Sequence, residues 1–337
     1  MIGHPMGRWL SAALLAALAA ASAAAQITTK AIYGPDDRRE PSEVQSDRIR
    51  GWADSTVALF QAEKVTVDAE KKQAALATNP FTTAVVKTPD NPWGESVELC
   101  QQEGYKGQAK GAFCSGSLVG EDLIMTAGHC VEDEESCKSG IKFVFGFRSD
   151  KEGQIPASVS SEEVYGCSKL VAKKLEGSGP DFAIVKLDRP VKDHPVLRIR
   201  RAGKPPVGSP LTVIGHPVGL PTKVAGGASI RKNDAGGYLI GNLDTYGGNS
   251  GSAVINTVTG EVEGILVRGE TDFVYDEKSK CAKSMRKMDD TGRGEDVTLA
   301  EQVRAFIPDP HKPADLAFNK AGAALKGAKS LSFDGKF

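Results

Sequence analysis

"FCSGSLVGEDLIMTAGHC", residues 113–130, holds two short apolar runs split by Gly120-Glu121-Asp122. Runs of this length around a polar, glycine-bearing break predict a β-hairpin. The second run ends on His129 beside Cys130, so a titratable ring sits where an apolar strand stops. Further short apolar runs lie on either side: 55–60, 141–147, 181–187, 210–217, 237–244 and 253–267. Turn residues separate them throughout. The segment 61–80 is charged and reads either as a short helix or as an excursion between strands. Helical periodicity is scarce until "TLAEQVRAFI", 298–307, where a late helix is expected. Regularly spaced strands with turn signals predict an all-β fold, a sandwich or barrel.

Bulk composition agrees with that class. The 337 residues include 37 Gly and 18 Pro, with aromatics at 6% and hydrophobic residues at 40%, enough for a packed core with many turns. The formal net charge of −1 offers no basic surplus for nucleic acid, and none is expected as a partner. Residues 1–25 run from Arg8 through an Ala/Leu stretch to Ala23-Ala24-Ala25. That is the order of a secretory signal peptide, with cleavage expected after Ala25 and no membrane attachment afterwards. Six cysteines without a C-x-x-C pair fit an oxidising, exported setting and give no zinc motif. No metal or cofactor is expected. Residues 26–49 read as a polar N-terminal segment, 50–307 as the folded domain with an internal boundary near 195–210, and 308–337 as a tail.

Two more stretches complete a chemical set with His129. "GPDFAIVKL" opens an apolar strand with Asp181, and "LDTYGGNSGSAV" sets Ser250 among Gly247, Gly248 and Gly251. A serine hydroxyl is a poor nucleophile at neutral pH. An imidazole, whose ordinary pKa is about 6.5, suits the task of taking its proton. A carboxylate then orients the imidazole and stabilises its cation. Attack on a carbonyl creates an oxyanion that needs preorganised donors, and bare glycine backbone leaves room for main-chain N–H groups to reach it. Each piece alone has a plainer reading: a flexible Gly/Ser turn, a structural histidine, a capping aspartate. Their joint occurrence in one order is the signal.

On these residues, "TAGHC", "GPDFAIVKL" and "GGNSGS", the chain resembles the secreted serine peptidases of the chymotrypsin–trypsin class. The resemblance is to the bacterial branch that includes glutamyl endopeptidases, and it covers residues 50–307. It implies two six-stranded antiparallel barrels with the active site in the cleft between them. It implies His129, Asp181 and Ser250 as catalytic triad, and the amides of Gly248 and Ser250 as oxyanion hole. It also implies a Cys114–Cys130 disulfide beside the base, worth about 3 kcal/mol in the chain-entropy model. Cys137–Cys167 is expected as a second bridge. The pairing of Cys100 and Cys281 stays open, since connectivity does not follow from spacing. The implied substrate is protein or peptide, acted on by a monomer.

The resemblance divides on specificity. Asp244 holds the place of the acid at the base of trypsin's primary pocket, which points to cleavage after basic residues. Thr245 instead matches a threonine of glutamyl endopeptidases. Leu266 stands where those enzymes have a histidine, which argues against acidic specificity. Arg268 and Gly269 fall on the pocket wall, and Arg268 could pair with Asp244. Asn249 carries no charge for a freed N-terminal amine, so activation should not use the ion pair of trypsin. "AIYGPDDR", 31–38, is similar to the start of mature glutamyl endopeptidases, so a short propeptide ending at Lys30 is a further expectation. His216 in "VIGHPVGLPTK" reads as structural. Rival readings are a catalytically inactive binding protein, a glutamyl-type endopeptidase, an esterase using the same triad, and a protease-chaperone, for which 308–337 is too short to hold a peptide-binding module.

Overall fold

The computed structural model describes residues 31–309 apart from 89, 150–154, 234 and 235. The expected signal peptide, residues 1–25, and the tail beyond 309 lie outside the described residues.

Seven antiparallel strands form the first sheet. Their spatial order is Val164–Tyr165, Ile141–Val144, Thr56–Gln61, Cys114–Gly120, Leu123–Thr126, Asp181–Leu187 and Cys167–Leu175. The predicted hairpin is its centre, with Ser117 opposite Met125 and Leu118 opposite Ile124. Central strands are apolar throughout because both faces are covered: all residues of Asp181–Leu187 except Lys186 are buried. The outer strand Cys167–Leu175 is exposed or half-buried apart from Cys167 and carries Lys169, Lys173 and Lys174, which keep an open edge from pairing with another chain. The sheet curls without closing. The expectation of two six-stranded barrels is therefore met by the second unit, while the first is a curled half-barrel.

The second unit does close. Pro210–Gly215, Lys223–Lys232, Tyr238–Gly241, Glu295–Leu299, Glu261–Arg268 and Ala253–Asn256 pair in a ring, sealed where Glu261–Arg268 meets Glu295–Leu299. Leu211, Val213, Leu239, Val254, Leu266 and Val297 fill its interior. A larger core joins the two units, running from Leu59, Ile124 and Ile184 to Ile214, Ala253 and Ile265. This shared core fixes one sheet against the other, and the cleft between them inherits that rigidity.

Two local expectations are corrected and one alternative is settled. The segment 298–307 is not a helix. Thr298 and Leu299 finish a strand, paired to Tyr238 and Gly264, and only one 3₁₀ turn, Ala300–Gln302, follows. Leu299, Ala300, Val303 and Ile307 are all buried, so the helical spacing reflects packing of a strand end and a turn on the core. The polar stretch after residue 30 is not a surface loop. Ile32–Tyr33 pairs in parallel with Arg286–Lys287, and Arg38–Arg39 with the closed barrel at Val224 and Ala225. The charged segment 61–80 takes the second of its two readings, an excursion between strands, built on a hairpin of Val65–Asp68 with Gln73–Leu76. Two short helices had no clear periodic signal. Asp47–Asp54 is capped by Ser46. Glu134–Gly140 starts with a reciprocal Asp133–Ser136 capping box and is tied down through Cys137.

Three disulfides are formed: Cys114–Cys130, Cys137–Cys167 and Cys100–Cys281. The last spans 181 residues and links the chain beyond the hairpin Thr83–Val86/Glu95–Glu98 to Cys281–Ser284.

Candidate active site

His129 stands on a 3₁₀ turn, Gly128–Cys130, directly after the hairpin. Asp181 opens the neighbouring strand and is only 2% exposed. Its Oδ1 accepts the main-chain N–H of Gly128 at 2.6 Å and of His129 at 3.1 Å, and its Oδ2 lies 2.7 Å from His129 Nδ1. A carboxylate facing Nδ1 selects the tautomer with the proton there, which leaves Nε2 as the acceptor. The ring keeps 24% exposure, so that nitrogen is reachable. Gly128 has no room for a side chain: a Cβ would lie 2.3 Å from the Lys174 carbonyl oxygen and 2.8 Å from that of Phe182. Thr298 bolts Asp181 to the second unit, its Oγ1 accepting the Asp181 N–H at 3.1 Å and donating to the Asp181 carbonyl at 3.0 Å.

The Ser250 turn is stitched to the same hairpin. The N–H of Ser115 donates to the Ser250 carbonyl at 2.8 Å, and Ser115 Oγ donates to the Gly248 carbonyl at 2.8 Å. Ser115 follows Cys114, which is bonded to Cys130 beside His129. One strand thus holds the histidine turn and the serine turn together. Gly248 has φ +88°, and a Cβ there would meet the His216 carbonyl oxygen at 2.6 Å and the Gly219 nitrogen at 2.9 Å. Gly251, at φ +92°, would set a Cβ 2.0 Å from the Ser115 carbonyl oxygen. The glycines around Ser250 are therefore required by left-handed backbone and by close approach of main chain.

His216 behaves as a structural residue. It is buried, stacks on Phe147, and its Nδ1 lies 3.0 Å from the Leu220 carbonyl. Burial pulls its pKa down to about 3, so it stays neutral. Cys114, His129 and Cys130 cluster closely enough to resemble a metal site among the described residues. Both sulfurs, however, are joined in a disulfide and have no thiolate to offer.

Of the residues expected to set specificity, Thr245 and Gly269 meet at one carboxylate, Glu295, while Asp244, Leu266 and Arg268 have separate partners. Asp244 is buried, and its two oxygens accept the N–H groups of Tyr33 at 2.7 Å and Asp37 at 2.8 Å. Burial pushes its pKa up to about 7 against the opposing pull of these two bonds. The carboxylate holds the N-terminal segment. Arg268 does not pair with Asp244. Its Nε donates to Asp296 at 2.8 Å, and its other nitrogens donate to the carbonyls of Gly177, Ser178 and Gly179. Leu266 is fully buried in the barrel interior. The buried Thr245 donates from Oγ1 to Glu295 at 3.2 Å. Gly269 lies against the same carboxylate, where a Cβ would fall 1.9 Å from Glu295 Oε2.

Glu295 is the residue that sequence reasoning missed. It is 0% exposed and takes the N–H of Ala31 and of Glu270, each at 3.3 Å. Its neighbour Ala31 is 264 positions away, so no local pattern could reveal it. Another buried pair fastens the same N-terminal segment: Lys223 Nζ lies 3.1 Å from Glu40, and burial pulls the lysine down to about 8.

Residues 114–265 match the family model described as a trypsin-like peptidase domain. Among curated relatives, a trypsin of Sarcophaga bullata is 34% identical over 110 residues, 31% of this chain and 39% of that protein. A snake venom serine protease homolog of Bothrops jararacussu is 25% identical over 190 residues, 49% of this chain and 70% of the relative. Among solved structures, a Glu endopeptidase in complex with MPD aligns over 87% of this chain and 99% of its own, at 15% identity and a TM-score of 0.43. By the family match, residues 114–265 are similar to a trypsin-like peptidase domain, and the chain spans less than two thirds of the length of the fly trypsin it matches.

Proposed function

We propose that the protein is an exported serine endopeptidase in which His129, Asp181 and Ser250 act as the triad. The observation that carries this reading is the Asp181 carboxylate, held by two main-chain amides and aimed at His129 Nδ1. His129 Nε2 takes the Ser250 proton as Oγ attacks the scissile carbonyl. The oxyanion is stabilised by the N–H groups of Gly248 and Ser250. The imidazolium then protonates the leaving amine, and water reverses the sequence on the acyl-enzyme. Three disulfides and the signal-like N-terminus support export. Protein or peptide is the substrate class.

The preference for basic residues rested on Asp244 and loses that support, because two main-chain amides occupy its carboxylate. Lys- and Ala-containing peptides of otherwise equal sequence should be turned over within about tenfold of each other, a span of roughly 1.4 kcal/mol in transition-state binding. A hundredfold preference for lysine would restore the role of Asp244. The catalytic reading is tested by hydrolysis of an unstructured protein. Ser250→Ala should cut kcat by about 10⁶-fold with the melting temperature unchanged, and retention of activity would remove Ser250 from the mechanism.

A further inference from the structure

Ser250 leads into Ala253–Asn256 of the closed barrel, while His129 and Asp181 stand on the first sheet. A set of three divided between two units works only if the units keep one register. Five consecutive residues of the first unit, 177–181, meet the second unit one after another. The Arg268 guanidinium donates to the carbonyls of Gly177 at 3.1 Å, Ser178 at 2.9 Å and Gly179 at 2.5 Å. Pro180 lies against Gly237, where a Cβ would come within 2.8 Å of its ring. Thr298 Oγ1 holds the main chain of Asp181 at both its N–H and its carbonyl. Asp296 anchors this row. It stands opposite Arg268 in the ladder and accepts its Nε at 2.8 Å. Two residues from Thr298, it shares that side of the strand. It is 1% exposed, so the guanidinium is aimed and not free to swing. Gly177 and Ser178 are exposed, and two glycines in three residues leave the turn little stiffness of its own. Its shape is imposed from across the seam.

We infer that Arg268 is a positioning residue for the candidate triad. Its planar fork pins the turn that leads into Asp181 and, with Thr298, sets the His129–Asp181 pair against Ser250 across the seam. The inference rests on the proposed function. All three guanidinium nitrogens are engaged within the protein, Nε on Asp296 and the other two on the turn. The carboxylate fixes the plane of the fork, and the fork fixes three successive carbonyls. A lysine would keep a charge beside Asp296, but a single ammonium has no fork to span a carboxylate and three carbonyls. Misplacing a reacting group by about 1 Å can cost about 10²-fold in rate. Substrate contacts elsewhere are untouched by such a shift, so the loss falls on kcat and not on KM.

Two variants test this. R268K keeps a cation on the buried Asp296 and removes the fork. R293A removes the other guanidinium that donates to Asp296 and leaves the fork in place. On a peptide substrate, R268K should lower kcat by about tenfold to a hundredfold, with KM within about twofold of the parent. R293A should keep both constants within about twofold. A raised KM at unchanged kcat in R268K would make Arg268 a substrate contact and overturn the inference. Equal losses in R268K and R293A would reduce the effect to the charge balance of Asp296 and overturn it as well. Amide hydrogen exchange on Ser250→Ala protein reads the seam without turnover. The Asp181 amide, and those of Gly128 and His129 bonded to its carboxylate, should exchange about tenfold faster or more with R268K added. They should not change with R293A added. Unchanged exchange in R268K overturns the inference whatever its kcat. A parent that hydrolyses no peptide would remove the proposed function alone, and the pinning of Asp181 by Arg268 would still stand or fall on the exchange.

Discussion

The His129 turn and the Asp244 segment are each organised around a buried carboxylate, and they differ in what the carboxylate faces. Asp181 takes the N–H groups of Gly128 and His129 and turns its second oxygen to a half-buried imidazole. Asp244 takes the N–H groups of Tyr33 and Asp37, one on each oxygen. The same device, a carboxylate on main-chain amides, orients an imidazole in one place and fastens the segment 33–37 in the other. Type and burial do not separate them. The separation comes from whether an oxygen is left over for a mobile, titratable partner.

That contrast can be broken by matched substitutions. Asp181→Asn puts an amide opposite Nδ1, favours the wrong imidazole tautomer, and should lower kcat by about 10⁴-fold with little change in KM. Steady-state kinetics on one peptide substrate would show it. Asp244→Asn should leave kcat within about tenfold. An amide offers one acceptor where two N–H groups need two oxygens, so a buried donor is stranded at a cost of about 1–3 kcal/mol. Denaturant melts should show the loss. If the two variants exchanged these behaviours, the assignment of roles would be reversed.

The smallest expected effect lies far from both sites. His194 Nδ1 faces the Asp54 carbonyl at 2.7 Å and Nε2 faces Glu163 at 2.7 Å, with Arg148 on the far side of Asp54 and Phe145 stacked on the ring. Both ring nitrogens meet oxygens, so the doubly protonated ring fits best. Burial opposes that charge, but Asp54 and Glu163 outweigh it and push the pKa up to about 9. A raised folded-state value means stability that is fully present below the unfolded value of about 6.5 and lost as pH rises through about 9. Thermal melts should therefore separate the parent from His194→Gln most at pH 6 and least above pH 9.5.

Legibility followed the range of the interactions. The hairpin 113–130 and the strand opened by Asp181 announce themselves because strand periodicity and turn chemistry are local. The glycines of the Ser250 turn were read as clearing space for main-chain donors. The structure adds a second reason in the carbonyl oxygens of His216 and Ser115, which fill the positions of the missing side chains. The sequence offers no sign of what Asp244 holds, because its partners arrive from residues 33–37. Glu295 stayed hidden for the same reason. The late helix was misread because Leu299, Ala300, Val303 and Ile307 share a helical spacing, while the ladder bonds of Thr298 and Leu299 hold the start of that segment in the barrel. Residues whose meaning depends on a contact across the fold are the ones a linear reading gets wrong.

The central claim is that Ser250 is a nucleophile activated by His129, itself oriented by Asp181. Labelling with a fluorophosphonate probe followed by peptide mapping tests it most directly. The account predicts a single adduct on Ser250, formed at least 10³-fold more slowly in His129→Ala. An adduct elsewhere, or equal labelling in the two proteins, would contradict it.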